Sequence, residues 1–214
     1  RGPDASGYFF DKQNGLGLGH QRLSIIDLSN NANQPMTSSC GRYVMVYNGE
    51  VYNYKEVAKN LSDITWKSTS DTEVILEAFV RWGTEFVNRL NGMFAIAIYD
   101  TIEETLFLFR DRVGIKPLFY AYQDQELIFA SEIKSINKLN INKTINHNAI
   151  YSYLHLGYIS GNQSIYNEIK KVKPGSYIVY KNKKISEKYY WKSEDPFMKD
   201  TFTNLQSSKV NLNS

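Results

Sequence analysis

The sequence predicts a β-rich domain in which one sheet packs on another and helices lie outside. From Gly7 onward, short runs rich in Tyr, Phe, Ile, Val and Leu alternate with turn residues, as in a β-rich chain. Residues 94–98 are apolar on both faces, so we expect a layer on each side of the sheet there. A capped helical pattern after Ser70 supplies an outer layer.

The first predicted elements form a hairpin. Residues 8–10 and 16–22 have strand composition, and Asn14-Gly15 between them indicates a type I′ turn, because both central positions of that turn need positive φ. Residues 43–47 are predicted to be a strand that ends in a turn at Asn48-Gly49. A short helix is predicted to start at Asn53.

The clearest helix begins after Ser70. Ser70 and Glu73 have the spacing of a capping box, and apolar residues between 74 and 79 repeat at helical spacing before Gly83 ends the pattern. Asp71 therefore falls in the first turn of this helix.

The second half of the chain is predicted to start with a meander of four strands, at residues 93–99, 105–110, 118–122 and 127–130. A helix at 148–156 and a hairpin at 176–190 follow. Residues 192–214 are polar and aperiodic, as in a linker. The predicted organisation is a domain over residues 1–190 and a linker over residues 191–214.

Composition excludes several classes of protein. Cys40 is the only cysteine, which excludes an internal disulfide or a cysteine-based metal cluster and favours a cytoplasmic protein. No apolar stretch approaches the roughly 20 residues of a membrane-spanning helix. The net charge of +3 is mild, and the lysines gather in a late hairpin that suits a solvated strand face, so we expect neither a nucleic-acid nor a membrane partner.

Three charged residues in separate segments complement the two ionic groups of a free amino acid. Arg22 presents a planar guanidinium that can hold a carboxylate through two parallel hydrogen bonds. Glu50 and Asp71 can surround an ammonium group. Taken singly, each has a simpler interpretation: Arg22 as a surface ion pair, and Asp71 as an acidic residue favoured by the helix dipole.

Asn48 and Gly49 can complement an amide side chain. The Asn48 side-chain amide and the Gly49 backbone N–H would form an oxyanion hole, in which a single donor is worth ~3–4 kcal/mol in other enzymes. An isolated Asn-Gly dipeptide is more often just a hairpin turn. In combination, the five residues could bind an amino acid with an amide tail, such as free glutamine.

Seven ordered motifs carry a family resemblance. They are Arg1-Gly2-Pro3-Asp4, Arg22-Leu23-Ser24-Ile25-Ile26-Asp27, Tyr47-Asn48-Gly49-Glu50, Ser70-Asp71-Thr72-Glu73, Leu90-Asn91-Gly92-Met93-Phe94-Ala95, residues 110–118 and Ala130-Ser131-Glu132. With these motifs the chain resembles the glutaminase domain of class II glutamine amidotransferases, specifically that of glutamine-dependent asparagine synthetases. The resemblance implies an α+β fold of the amino-terminal nucleophile hydrolase type, a four-layer αββα sandwich with two antiparallel sheets.

The resemblance also implies residue roles. The glutamine carboxylate would be held by the segment Arg22, Leu23, Ser24, Ile25 and Ile26. Asn48 and Gly49 would form the oxyanion hole, and Glu50 and Asp71 would hold the amino group. Residues 110–118 and Ser131-Glu132 would be structural or domain-contacting.

One expected group is missing from the sequence. Members of that family use an amino-terminal cysteine, whose thiol attacks the amide while its own α-amino group moves the proton. Cys40 is internal and has no evident activating base, and His20, His147 and His155 have no partner spacing for a triad or a metal site. We therefore expect an incomplete domain that lacks its first strand and helix, binds glutamine and does not hydrolyse it.

The implied whole protein hydrolyses glutamine and uses the ammonia to amidate aspartate. ATP and Mg²⁺ would belong to a carboxyl-terminal synthetase domain, and this segment would need no cofactor and no metal. An amidotransferase with another acceptor, such as a sugar phosphate, stays open, as does a non-catalytic glutamine-binding or protein-interaction module. A homodimer also stays open.

Overall fold

A computed structural model of the chain describes residues 2–23 and 29–193. The strands are β1 (Ala5–Asp11), β2 (Leu16–Arg22), β3 (Met36–Thr37), β4 (Tyr43–Val51), β5 (Gly92–Asp100), β6 (Thr105–Arg110), β7 (Phe119–Gln123), β8 (Glu126–Ala130), β9 (Ile169–Lys171), β10 (Ser176–Lys181) and β11 (Lys184–Tyr189). The helices are α1 (Tyr54–Lys59), α2 (Asp71–Trp82), α3 (Ile133–Ile136) and α4 (His147–Leu156), with 3₁₀ helices at Asn30–Ala32 and Gly83–Arg89.

A six-stranded antiparallel sheet forms the centre, in the order β11-β10-β6-β5-β4-β3. Its strand β5 is buried on both faces, as the unbroken apolar run predicted. Phe94, Ile96 and Ile98 pack against α1, α2 and their neighbours on one side. Ala95 and Ala97 pack on the other side. A fully buried Ile or Phe contributes about 1.5–3 kcal/mol, so this strand is a main source of stability.

A second β layer covers the other face of the central sheet. It consists of the β1–β2 hairpin and the three-stranded sheet β8-β7-β9. Leu18 of β2 and Phe129 of β8 share an apolar cluster with the central sheet. On its outer face the three-stranded sheet packs against α3 through Ile136. Helix, sheet, sheet and helix therefore follow one another, which is the predicted four-layer arrangement.

The predicted meander of four strands is wrong in its pairing. The four strands exist, but β5 and β6 lie in the central sheet while β7 and β8 lie in the second one. The chain crosses between sheets after Arg110, where Asp111 turns it. Asp111 is fully buried and accepts hydrogen bonds from the backbone N–H groups of Ile115 (2.8 Å) and Lys116 (2.9 Å).

The first hairpin forms as predicted, but its turn is not of type I′. Asp11 pairs with Leu16, so four residues form the connection. Only Gly15 has a positive φ there, of +63°. The Asp11 carboxylate accepts hydrogen bonds from the backbone (3.2 Å) and side chain (2.8 Å) of Asn14, which stabilises the longer turn.

Helix α2 begins where the sequence predicts. The Ser70 hydroxyl accepts a hydrogen bond from Thr72 N (2.9 Å) and caps the helix. Glu73 does not complete the capping box: its carboxylate instead accepts from the backbone N–H groups of Lys67 (2.9 Å) and Ser68 (2.8 Å). The preceding loop, rather than the cap, is what Glu73 stabilises.

The predicted turn at Asn48-Gly49 is a second error. Strand β4 runs through both residues to Val51, with Asn48 opposite Ala95 and Gly49 opposite Phe94. A Cβ at Gly49 would lie against the Met93 carbonyl oxygen and 2.7 Å from Phe94 Cα. Glycine is therefore required here by the close approach of the neighbouring strand, and not by a positive φ.

Candidate functional site

An open cleft of about 830 Å³ lies where the ends of β2 and β4 meet the start of α2. The described residues that the sequence analysis selected all line it: Arg22, Leu23, Asn48, Gly49, Glu50 and Asp71. Ser24, Ile25 and Ile26 lie outside the described residues. Three segments far apart in the sequence thus meet at one opening.

The cleft follows an open edge of β4. Tyr52 N donates to Asn91 O (2.8 Å), so the N–H of Tyr52 points toward the neighbouring strand β5. In an antiparallel pair, residues whose N–H points toward the partner strand alternate with residues whose N–H points away from it. The N–H groups of Tyr47, Gly49 and Val51 therefore point away from β5. Strand β3 pairs only with Met45 and Val44 of β4, so within the described part of the chain no strand covers this edge further along.

Two of these three N–H groups have side-chain partners. Tyr47 N donates to Gln34 Oε1 (2.5 Å), and Val51 N donates to Asp71 Oδ2 (3.0 Å). Gly49 N–H lies between them on the same edge. Because Gly49 lines the cleft, its N–H is a donor that an entering ligand can meet.

The Asn48 side chain supplies a second donor beside it. Its Nδ2 donates to Ser131 Oγ (3.2 Å), which orients the amide across the cleft. An amide nitrogen carries two N–H donors, so one is left for a ligand. Ser131, expected from the sequence to be structural or domain-contacting, lies in the cleft wall and contacts Asn48.

Asp71, the first residue of α2, is buried beneath the cleft. Its Oδ2 accepts hydrogen bonds from the Tyr47 hydroxyl (2.8 Å) and from Val51 N. Burial raises the pKa of Asp71 above its ordinary value, the two hydrogen bonds oppose that rise, and nearby Glu50 adds to it. Glu50 is half-buried and lines the same cleft, so two carboxylates concentrate negative charge here.

Arg22, at the end of β2, is buried and lines the same cleft. Its Nη1 donates to Ser29 O (2.8 Å) and to Asn33 Oδ1 (2.7 Å). These bonds hold the guanidinium plane against the loop that follows β2. A planar cation thus lines the same cleft as the two carboxylates.

His20 was not selected from the sequence but lines the cleft. It lies two residues before Arg22 on the same face of β2, and its Nε2 is 3.1 Å from Tyr47 O. Burial lowers the pKa of His20, the hydrogen bond to Tyr47 O opposes that shift, and the charge of Arg22 adds to it. Because a carbonyl oxygen only accepts, Nε2–H is the donor in this contact. Its Nδ1 is buried and has no hydrogen-bond partner in the described part of the chain. The two-residue spacing to Arg22 was the available sequence signal.

Two residues of the segment 110–118, Lys116 and Pro117, also line the cleft. The buried Arg110 side chain donates to Lys116 O (2.9 Å), Gly114 O (2.8 Å) and Val172 O (2.7 Å). It thereby fixes the loop that brings Lys116 and Pro117 to the cleft. The structural role expected for this motif agrees with these contacts.

Cys40 and the other two histidines lie away from this cleft. Cys40 is exposed in the turn before β4, with Sγ 3.3 Å from the Ser38 hydroxyl. His147 and His155 belong to α4. Among the described residues, no group of His, Cys, Asp and Glu side chains has a geometry that could hold a metal ion. Nor does any described helix have the length and apolarity to cross a membrane.

Comparisons with known proteins identify relatives. A family model described as a glutamine amidotransferase domain matches residues 1–191. Asparagine synthetase (glutamine-hydrolysing) 1 of Bacillus subtilis is 36% identical over 196 residues, covering 90% of this chain and 30% of that protein. Asparagine synthetase (glutamine-hydrolysing) 2 of the same organism is 48% identical over 136 residues, covering 64% of this chain and 18% of that protein. The chain thus spans less than a third of either relative.

A solved structure supports the fold. The glutamine phosphoribosylpyrophosphate amidotransferase of Bacillus subtilis superposes with a TM-score of 0.57 at 18% identity, covering 82% of this chain and 35% of that one. At that identity the likeness bears on the fold alone. It confirms the expected α+β sandwich of the amino-terminal nucleophile hydrolase type.

Proposed function

The chain belongs to the glutamine amidotransferase domain family, and from that premise we propose that its cleft binds L-glutamine as the glutaminase part of an asparagine synthase. The observation that carries the proposal is the open edge of β4. Gly49 N–H and Asn48 Nδ2 are donors at this edge, and the carboxylates of Glu50 and Asp71 and the guanidinium of Arg22 line the same cleft. Each group of free glutamine has its complement.

In the proposed complex, Arg22 and the segment Leu23, Ser24, Ile25 and Ile26 hold the α-carboxylate. Asp71 and Glu50 hold the α-ammonium group. The amide oxygen lies between Asn48 Nδ2 and Gly49 N–H. Burial strengthens these contacts, because charged groups attract more strongly in a site of low dielectric.

The chemical role of this chain's residues is to orient the amide and to stabilise the charge that develops on its oxygen. When a nucleophile adds to the amide carbon, the carbonyl oxygen becomes an oxyanion, and donors already aimed at it lower the barrier. Collapse of that intermediate releases ammonia, and water then releases glutamate. The attacking group would be the amino-terminal cysteine that the family resemblance implies. Cys40 lies outside the cleft, so we propose that the polypeptide 1–214 binds glutamine without turnover.

These relatives are named as asparagine synthetases, which supports asparagine synthesis as the destination of the ammonia. In the longer protein, ammonia would amidate aspartate with ATP and Mg²⁺ in a separate domain. The proposed amidation of aspartate is tested on a longer polypeptide that contains this chain, by measuring asparagine formed from aspartate, ATP and glutamine. Formation of an aminated sugar phosphate instead would assign another acceptor.

Isothermal calorimetry on the purified chain tests the binding site. We expect a saturable heat with L-glutamine, and a much weaker one with D-glutamine, because inverting Cα exchanges the positions of groups that must meet Arg22 and Asp71. Ammonia assays on the same sample should show no release. Absence of heat with L-glutamine, or equal affinity for both enantiomers, would count against the proposal.

A further inference from the structure

The hydroxyl of Tyr47 holds the carboxylate of Asp71 in a single orientation. Both side chains are buried, with 4% and 5% of their surface exposed. Oδ2 of Asp71 accepts from the Tyr47 hydroxyl at 2.8 Å and from Val51 N at 3.0 Å. These two donors on one oxygen, together with a hydrogen bond from the Thr72 backbone to the same carboxylate, fix the orientation of the Asp71 side chain.

The position of the Tyr47 ring is set from several sides. Its backbone N–H donates to Gln34 Oε1 (2.5 Å), and its carbonyl oxygen faces His20 Nε2 (3.1 Å). The ring belongs to the apolar cluster between β4 and α2. The hydroxyl is therefore placed before any ligand arrives, and it loses little freedom on binding.

The charges around this pair work in opposite directions. Burial raises the pKa of Asp71, and Glu50 on strand β4 raises it further. The hydrogen bonds from Val51 N, the Tyr47 hydroxyl and the Thr72 backbone lower it. Burial also raises the pKa of Tyr47 well above its ordinary range, so the phenol keeps its proton and stays a donor.

We propose that Tyr47 is a positioning residue that makes the cleft selective for a ligand with an α-ammonium group, by orienting the carboxylate of Asp71 toward it. This inference rests on the proposed glutamine site and names a further determinant of its specificity. Tyr47 acts through Asp71, since its hydroxyl proton is already donated to that carboxylate.

A single substitution isolates the hydroxyl. Tyr47→Phe keeps the ring in the core and removes one oxygen. Tyr99→Phe is the matched control: Tyr99 lies on the adjacent strand β5, is 1% exposed, and donates its hydroxyl to Asp11 Oδ2 at 2.9 Å, away from the cleft. Both variants lose a hydrogen bond from a tyrosine to an aspartate.

Calorimetry with two ligands gives the readout. The ligands are L-glutamine and 4-carbamoylbutanoate, which is glutamine without its amino group. We expect Tyr47→Phe to weaken L-glutamine about tenfold, as loss of one hydrogen bond to a charged group predicts, and to leave the deaminated analogue unchanged. Tyr99→Phe should change neither affinity.

The pH profile provides a second readout. Glutamine affinity should fall as the pH drops through the pKa of Asp71, because protonation removes the charge that attracts the ammonium. Without the Tyr47 hydroxyl that pKa rises, so in Tyr47→Phe the fall should occur at higher pH. If Tyr47 contributed only to packing, the pH at which the affinity falls would be the same in Tyr47→Phe as in the wild type.

The outcomes separate the inference from the function on which it rests. Wild-type protein that binds no glutamine overturns both. Wild-type binding together with equal losses for the two ligands in Tyr47→Phe, or with no loss, overturns only the role of Tyr47. If Tyr47→Phe does not fold, carbon-13 resonances of wild-type Asp71 Cγ and Tyr47 Cζ provide the test. They should titrate together and respond to glutamine but not to the analogue, and independent titration would refute the inference.

Discussion

Replacing Gly49 by alanine tests whether β4 remains paired with β5 at Gly49, where the strand lines the cleft. In the structure the added Cβ would lie against the Met93 carbonyl oxygen, 2.7 Å from Phe94 Cα and 2.9 Å from Tyr47 Cε2. Two of these three neighbours are backbone atoms of β5 and cannot rotate away. The strands must therefore separate at the middle of the buried central sheet.

The expected magnitude follows from that separation. Overpacking a well-packed core typically lowers the free energy of unfolding by about 1–3 kcal/mol, and occasionally by more. Because the added Cβ meets backbone atoms, which cannot rotate away, we expect Gly49→Ala to cost about 3 kcal/mol or more. Gly19→Ala is the control, because its Cβ would meet only the Tyr8 ring at 3.4 Å, an ordinary contact. That substitution should change stability by less than about 1 kcal/mol, and reduced freedom of the unfolded chain favours a small gain.

Urea denaturation of both variants measures the difference. With a slope of about 1–3 kcal/mol per molar, a loss of 3 kcal/mol lowers the unfolding midpoint by about 1 M or more. Equal midpoints for Gly49→Ala and Gly19→Ala would refute the argument from strand packing. A stable Gly49→Ala protein that fails to bind glutamine would instead assign the glycine to ligand approach.

Three further predictions concern single side chains. Arg22→Lys should weaken glutamine binding about tenfold in calorimetry, because lysine cannot reproduce a planar two-point contact. Arg42→Lys alters a comparable pair with Asp100 and should not weaken glutamine binding. Equal effects of the two substitutions would remove the special role of Arg22. Asp71→Asn should abolish glutamine binding yet keep or raise the stability of the protein. Burial raises the pKa of Asp71, so the ionised form opposes folding as the pH rises through that pKa. A large loss of stability in this variant would contradict the prediction. Asp111→Ala should lower the free energy of unfolding by about 3–5 kcal/mol, because it leaves the buried N–H of Phe94 and the part-buried N–H groups of Ile115 and Lys116 without their acceptor. The exposed Asp63→Ala should lower it by less than about 1 kcal/mol, and similar losses on denaturation would contradict the structural role of Asp111.

The layered fold followed from local patterns because burial leaves a direct trace in sequence. The apolar run around Ile96 could only be covered on both faces, and Ser70 marked the start of α2 with a side chain whose preferred partner is a helix N–H. The pairing of strands did not follow. Residues 105–110 and 118–122 look like neighbours in a meander, yet the turn at Asp111 sends them to different sheets, and only long-range contacts reveal this.

The site was predictable as a set of residues and not as a geometry. Asn48-Gly49 has the composition of a hairpin turn, but pairing with β5 overrides that preference, so both residues are part of strand β4. His20 was not assigned to the site because a single histidine carries little signal, and Ser131 was expected to be structural or domain-contacting. Their importance arises from contacts with Tyr47 O and Asn48 Nδ2, residues 27 and 83 positions away.

A crystal structure of the chain with L-glutamine tests the central claim most directly. We expect the amide oxygen within hydrogen-bond distance of both Gly49 N and Asn48 Nδ2, the ammonium group against Asp71, and the carboxylate against Arg22. Glutamine bound elsewhere on the chain, or bound in this cleft with its amide turned away from the edge of β4, would contradict the account.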